Sequence, residues 1–173
     1  MTFLLKQIFA FIQLLNSDTA TNQIAAGIAC GLILGFAPAF SLQTVLVIFI
    51  LFFFRIQIGA ATVSAFFFAF IAWMLDPVHH IVGVKILESE GLKPLFTDMY
   101  NMPIVPLTRF YNSIVMGSGV VSIVLALPMF FLARVMVIKY RATVVARFKD
   151  TKFWKAFAAT SVYKWYTKYQ ELY

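Results

Sequence analysis

Charge is absent from three long stretches of the chain, residues 19–54, 56–75 and 110–133, and their lengths set the first expectations. The second and third hold 20 and 24 residues. Each is long enough to cross a hydrocarbon core of about 30 Å as one helix. The first holds 36, too many for one helix and awkward for two. Its middle reads Gly35-Phe36-Ala37-Pro38-Ala39-Phe40-Ser41. Glycine and proline together end a helix, and Ser41 is suited to cap the next one. The arms on either side, 24–36 and 42–54, have 13 residues each. Such an arm rises only about 20 Å. Arms this short fit a re-entrant helical hairpin, with two thin or strongly tilted spans as the alternative.

The flanks follow a different pattern. Residues 2–15 are mostly apolar, with Lys6, Ala10, Gln13 and Ser17 near one face, and read as an interfacial amphipathic helix. The Asn16-Ser17-Asp18-Thr19 run is expected to end it and to cap the next helix. Interruption of the apolar run by Lys6, Gln7 and Gln13 argues against a cleaved signal. In 76–109, Asp76-Pro77 reads as a helix start, and a short helix is expected from Val78 to about Glu88. Gly91, Pro94, Pro103 and Pro106 then predict irregular structure. Pro128 should kink the helix of 110–133. Beyond it, 139–173 reads as an amphipathic helix with Trp154, Phe157, Trp165 and Tyr169 on one face.

Composition supports a membrane protein. The chain has 173 residues, 62% hydrophobic and 12% charged. Soluble domains average about 45–50% and about 25%. That excludes an ordinary soluble enzyme, a disordered chain and a disulfide scaffold, and Cys30 is the one cysteine. Among Ala, Gly and Leu, Cys30 reads as a buried small residue. The net charge of +7 is localised. Five basic and five acidic groups cancel over 1–133, whereas 134–173 carries nine basic groups against Asp150 and Glu171. By the positive-inside rule the end of the chain lies in the cytoplasm. Counting back makes 76–109 extracytoplasmic and both termini cytoplasmic. The expected fold is therefore an all-α polytopic membrane protein: a re-entrant hairpin (22–54), two full spans, and an interfacial amphipathic helix at either end. Its two parts are a membrane domain, 1–138, and a basic tail, 139–173. The tail's aromatic pattern beside a span favours anionic lipid headgroups over nucleic acid as its partner.

Few residues carry candidate chemistry. Arg55 lies between apolar runs and reads either as an anchor snorkelling to lipid phosphates or as a headgroup site at the hairpin base. Pro38, Ser41 and Gln43 surround the hairpin tip, where unpaired carbonyls and N–H groups would make a polar spot of the kind that forms substrate sites in broken helices. A plain packing role for the hairpin is the other reading. Asp76 and His80, four apart, would face each other as a proton relay or a weak half of a metal site, although capping and local hydrogen bonding are the favoured reading of this pair. His79 and His80 point to different faces of a helix. Gly27, Gly31 and Gly35 form a ridge for close helix packing, and Ala61, Ala65, Ala69 and Ala72 form a matching small face on the next helix. No phosphate loop, carboxylate pair or catalytic triad is visible, so no enzyme, metal or cofactor is expected.

The run from Ile24 to Gly31, then Gly35-Phe36-Ala37-Pro38, Leu42-Gln43-Thr44 and Arg55, resembles a bacterial membrane family known only as a domain of unknown function. Its G-x-x-x-G-x-x-P run precedes an L-Q-T-type segment, an Arg-Asn pair and an Asn-Pro. Here Gln57 stands near the expected Asn, and Asp76-Pro77 replaces Asn-Pro. Asp76-Pro77-Val78-His79-His80, Tyr100-Asn101-Met102-Pro103, the run from Pro106 to Asn112, and Met116-Gly117-Ser118 resemble one subgroup of small bacterial proteins. The resemblance covers about 22–120. It implies an inner-membrane protein, and the subgroup implies a larger envelope protein encoded beside it as a partner. The functional expectation is a non-enzymatic inner-membrane subunit of a cell-envelope complex, in lipid transport. The alternative is a minimal oligomeric transporter or lipid scramblase using the hairpin.

Overall fold

A computed structural model describes residues 3–15, 17, 19–38, 40–54 and 56–145. The described residues form six α-helices and no strand. They are α1 (Phe3–Leu15), α2 (Thr21–Phe36), α3 (Leu42–Phe53), α4 (Ile58–Leu87), α5 (Lys93–Tyr100) and α6 (Ser113–Tyr140). A 3-10 turn, Val105–Thr108, lies between α5 and α6, and a π-helical turn, Arg141–Val145, follows α6. The chain divides into a unit of residues 1–137 and another of 138–173. Most of the second, including the aromatic part of the basic tail, lies outside the described residues. α4 and α6 are long and apolar enough to cross a membrane.

The glycine ridge of α2 finds its partner in α4. A Cβ built on Gly27 would stand 2.6 Å from the Ala60 Cβ and 2.7 Å from the Gln57 carbonyl oxygen. One on Gly31 would run into Ser64 Oγ and come within 2.6 Å of the Ala61 carbonyl. One on Gly35 would meet the Ala65 carbonyl at 2.6 Å and the Phe68 Cβ at 2.7 Å. The matched numbers rise together, so α2 and α4 run parallel, backbone against backbone. The predicted small face of α4 supplies Ala61, Ala65 and Ala69 to this seam. In a membrane, where lipid is as apolar as leucine, such close approach is the main source of helix affinity.

Around the seam, Ile24, Ala25 and Ile28 of α2 pack with Leu14 of α1, Ala60 of α4, and Ala133 and Val137 of α6. Leu32, Phe36 and Ala72 form a second cluster against Phe68, Leu75, Val121 and Met129. Cys30 is buried with Val47, Leu51 and Ala61, the expected structural place for it. α6 returns antiparallel to α4: Gly83 abuts Ser113, and four residues earlier the His79 carbonyl abuts Gly117.

The chain breaks at the hairpin tip as its residues dictate. α2 ends at Phe36, Ala37 is extended, and Ser41 caps α3 by accepting from the Thr44 N–H at 3.3 Å. Ser17 donates back to the Leu14 carbonyl at 2.7 Å and closes α1 as expected; α2 follows with Ala20 at its N-cap, and Asn16 and Asp18 of the expected capping run lie outside the described residues. Elsewhere the structure corrects the sequence reading. Asp76-Pro77 does not start a new helix, because α4 runs through Pro77 to Leu87. Proline removes one bond, to the carbonyl four residues earlier. That carbonyl belongs to Trp73, which is 77% exposed, and residues on both sides of the break are anchored by Ala72 and by buried His79. α6 passes Pro128 in the same way, the freed carbonyl being that of exposed Val124. Pro94 does not break structure either. It sits in the first turn of α5, where its missing N–H costs nothing.

Substitution tests the seam. Gly31→Ala is expected to destabilise the protein by about 2 kcal/mol or more through overpacking against backbone. Gly91→Ala, where a Cβ meets nothing within 4 Å, is expected to leave the melting temperature in detergent unchanged.

Candidate functional site

Polar side chains at the hairpin tip are mostly bonded to one another. The Pro38 carbonyl accepts from the Ser41 N–H at 3.0 Å and from the Thr44 hydroxyl at 2.9 Å. Ser41 and Thr44 share a further 3.0 Å bond, and both are buried. The tip is thus a closed capping turn, and the unpaired Thr44 N–H expected from the sequence is satisfied by Ser41. What it turns outward is apolar: Phe40 is 84% exposed. Pro38 and Ser41 are thus both tied to Thr44 within the turn.

Gln43 has a different task. Its Nε2 donates to the Val115 carbonyl of α6 at 2.8 Å and lies against Gly119. Val115 is also the acceptor for buried Ser118, at 3.2 Å, and Ser122 donates to Gly119 at 3.0 Å. The amide therefore ties the tip to the first turns of α6, where glycine makes room for it.

Opposite the tip, α4 carries the ionisable groups. Asp76 and His80 were expected to face each other, but His80 turns the other way: its Nδ1 shares a 2.6 Å bond with Ser113 Oγ. The partner of Asp76 is His79, with Nδ1 3.8 Å from Oδ1, three residues apart on one helix face. The His79 ring is wholly buried, 5.2 Å from the Phe36 ring at the end of α2. Its two nitrogens have no hydrogen-bond partner among the described residues. Loss of hydration and the charge of Asp76 act on this ring in opposite senses. Arg55 lies outside the described residues. No group of three or more potential metal ligands occurs among the described residues.

Beyond this cluster, α5 and the turn after it form an aromatic cap. An open cavity of about 300 Å³ is lined by Leu87, Lys93, Phe96, Thr97, Tyr100, Asn101, Phe110 and Tyr111. Edge contacts between Tyr100 and Tyr111 at 5.6 Å, and between Phe110 and Tyr111 at 6.0 Å, hold its wall. Arg109 adopts the left-handed conformation (φ 55°), and Asn112 Oδ1 then accepts from the Ile114 and Val115 N–H groups to start α6. No local pattern signals this cavity, because its lining comes from three short segments. His79 was visible only as one of two adjacent histidines.

Comparison with known proteins adds a family and no activity. The family model described as an uncharacterised protein conserved in bacteria (DUF2062) matches residues 5–144. A protein of Treponema pallidum (strain Nichols), itself named only as uncharacterised, is 30% identical over 138 residues, which is 80% of this chain and 85% of that one. No solved structure matches.

The Gln43 tie is open to test. Gln43→Leu leaves the Val115 carbonyl with one donor fewer. It is expected to destabilise the protein by about 1–2 kcal/mol in detergent unfolding.

Proposed function

The chain belongs to the DUF2062 family of uncharacterised bacterial proteins, and we propose that it is a non-enzymatic inner-membrane subunit of a cell-envelope complex that moves lipid. In this reading a larger membrane partner carries the moving parts, and this chain anchors or gates it. The observation that carries the reading is the closed interior. α2 and α4 meet at backbone-contact distance over three glycines, and α4 meets α6 in the same way at Gly83 and Gly117. Neither seam leaves room for a passage. The outer surface is, by contrast, a belt of large apolar side chains. It includes Phe49, Phe52 and Phe53 on α3 (Phe53 80% exposed), Trp73 and Met74 on α4, and Leu127 and Phe131 on α6. Such a belt suits lipid on part of its circumference and partner helices on the rest.

The topology proposed with it keeps both termini in the cytoplasm. α4 enters at its Ile58 end, and the apolar run 56–75 crosses. At 30 residues, or about 45 Å, α4 exceeds the hydrocarbon thickness. Its last third, which carries His79, His80 and Lys85, then emerges on the far side with α5 and the aromatic cap. The arms of the α2–α3 hairpin, 16 and 12 residues, are too short for two full upright crossings, but its tip at Phe36 lies against Ala72 and His79 at the far end of the crossing run of α4, which favours two thin spans over a re-entrant loop. The basic tail binds anionic headgroups on the cytoplasmic face. A second reading, a minimal oligomeric transporter or scramblase, draws support from the ionisable pair of buried His79 and half-exposed Asp76 beside the hairpin tip.

Purification in mild detergent, with mass spectrometry of proteins and lipids, is expected to recover a larger envelope protein with this chain. Recovery of a homo-oligomer alone overturns the subunit reading. Lipid or solute flux in liposomes holding this protein alone, abolished by Arg55→Ala and Gln43→Ala with folding intact, favours the transporter. For the topology, Gly91→Cys in a Cys30→Ser background is expected to react with an impermeant maleimide added from the extracytoplasmic side. Protection there, with labelling from the cytoplasm, inverts the arrangement.

A further inference from the structure

We propose that Asp76 and His79 form a proton-binding site which fastens the hairpin tip to α4. The proposal stands apart from the subunit reading, since it concerns only how one chain holds its own hairpin.

A histidine ring with no exposed surface normally has at least one nitrogen paired, because an unpaired buried polar atom costs roughly 1–3 kcal/mol. Both nitrogens of His79 lack a hydrogen-bond partner among the described residues. A large ligand would have to displace close neighbours: the Phe36 ring, 5.2 Å away, and Gly117 of α6, against which the His79 backbone carbonyl is pressed. A proton needs no such space. The groups around the ring narrow the choice further. From α2 it faces the neutral Phe36. On the α6 side, the backbone of Gly117 abuts the His79 carbonyl. On α4 itself His80 turns to Ser113, which leaves Asp76 as the ionisable group within ion-pair reach among the described residues.

Asp76 also supplies access. Its side chain is 42% exposed, while that of His79 is 1% exposed. A proton arriving from solution reaches the carboxylate first and passes to the ring a single side chain further in. The neutral ring carries one N–H. On taking up the proton it becomes an imidazolium with both nitrogens as donors, and no other bond is made or broken. Nδ1–H then donates to the carboxylate, and the half-exposed Asp76 side chain is free to close the 3.8 Å gap to an ion-pair distance of about 2.8 Å. The cation also lies within the ~6 Å range over which an aromatic ring attracts positive charge. Protonation therefore strengthens the contact between Phe36, the last residue of α2, and α4. The proton acts as a clasp at the hairpin tip, where the glycine seam has already ended at Gly35.

The experiment uses the full chain in lipid nanodiscs. The sequence holds two histidines, so His80→Gln leaves His79 as a single resonance in ¹⁵N-histidine NMR. Between pH 8 and pH 5 that ring is expected to pass from neutral to doubly protonated. Asp76→Asn is expected to leave it neutral at pH 5, and Asp76→Glu, which restores a carboxylate, to recover the titration. Thermal unfolding gives an independent readout. The deficit of Asp76→Asn relative to the parent should be larger at pH 5 than at pH 8, because the ion pair exists only when the ring is charged. His79→Phe should abolish that pH dependence. A ring that stays neutral throughout in the parent, or that titrates identically in Asp76→Asn, overturns the proposal. So does an Asp76→Asn deficit that is flat with pH.

Discussion

Backbone-to-backbone approach of α2 and α4 is the constraint from which the rest of the bundle follows. Three glycines four residues apart let the α2 backbone reach the Gln57, Ala61 and Ala65 carbonyls of a parallel helix. In water such a seam would be a minor element beside the burial of large side chains. In a membrane it is central, because helix burial gains little over lipid and the affinity comes from dense contact. Once α2 and α4 are fixed parallel, the short α3 has to run back between them in sequence. α6 then covers the remaining side with Ala133 and Val137 at one end and Gly117 and Gly119 at the other. Small residues at each crossing turn the large ones outward, which is why so many phenylalanines face out.

The polar residues obey a second constraint, that no hydrogen-bonding group goes cheaply unpaired in such an interior. Most solve it locally. Ser64 donates to the Ala60 carbonyl, Ser118 to Val115 and Ser122 to Gly119, each within a turn of its own helix. Ser41, Thr44 and Pro38 close on one another. Gln43 is the long-range tie, crossing from α3 to α6. His79 departs from the rule, and its place beside Asp76 and beneath Phe36 makes it the most informative residue of the cluster. The prolines fit the same account. Pro77 and Pro128 each free one carbonyl on an exposed face, so neither creates an unpaired group inside the bundle.

Much of the helical framework was legible one residue at a time. The break between Gly35 and Ser41, the Ser41 cap, the glycine ridge and its alanine partner are local signals, and local geometry decided them. The misreadings share a cause. Asp76-Pro77 reads as a helix start and Pro94 as irregular structure, yet α4 continues through the first and a helix, α5, starts at the second. Whether proline interrupts a helix depends on what anchors the turns on either side, and for Pro77 those anchors are Ala72 and His79. The Asp76–His80 pairing failed for a related reason. Both i+3 and i+4 neighbours lie near Asp76 on a helix, and Ser113 of α6 drew His80 away.

The sequence by itself determined that the chain is helical, with two segments long and apolar enough to cross a membrane. Runs of uncharged residues and glycine spacing act through chain-local physics: the cost of burying charge and the absence of a Cβ. It also indicated the family, through motifs that can be read in line. Only the tertiary structure decided which helix the glycine ridge meets, in which direction, and which of two adjacent histidines is buried beside the aspartate. Those outcomes depend on the register between α4 and α6, set where Gly83 meets Ser113 and Gly117 meets the His79 carbonyl, 30 and 38 residues apart in the chain. No periodicity within one helix carries that information, because register is a property of two surfaces in contact.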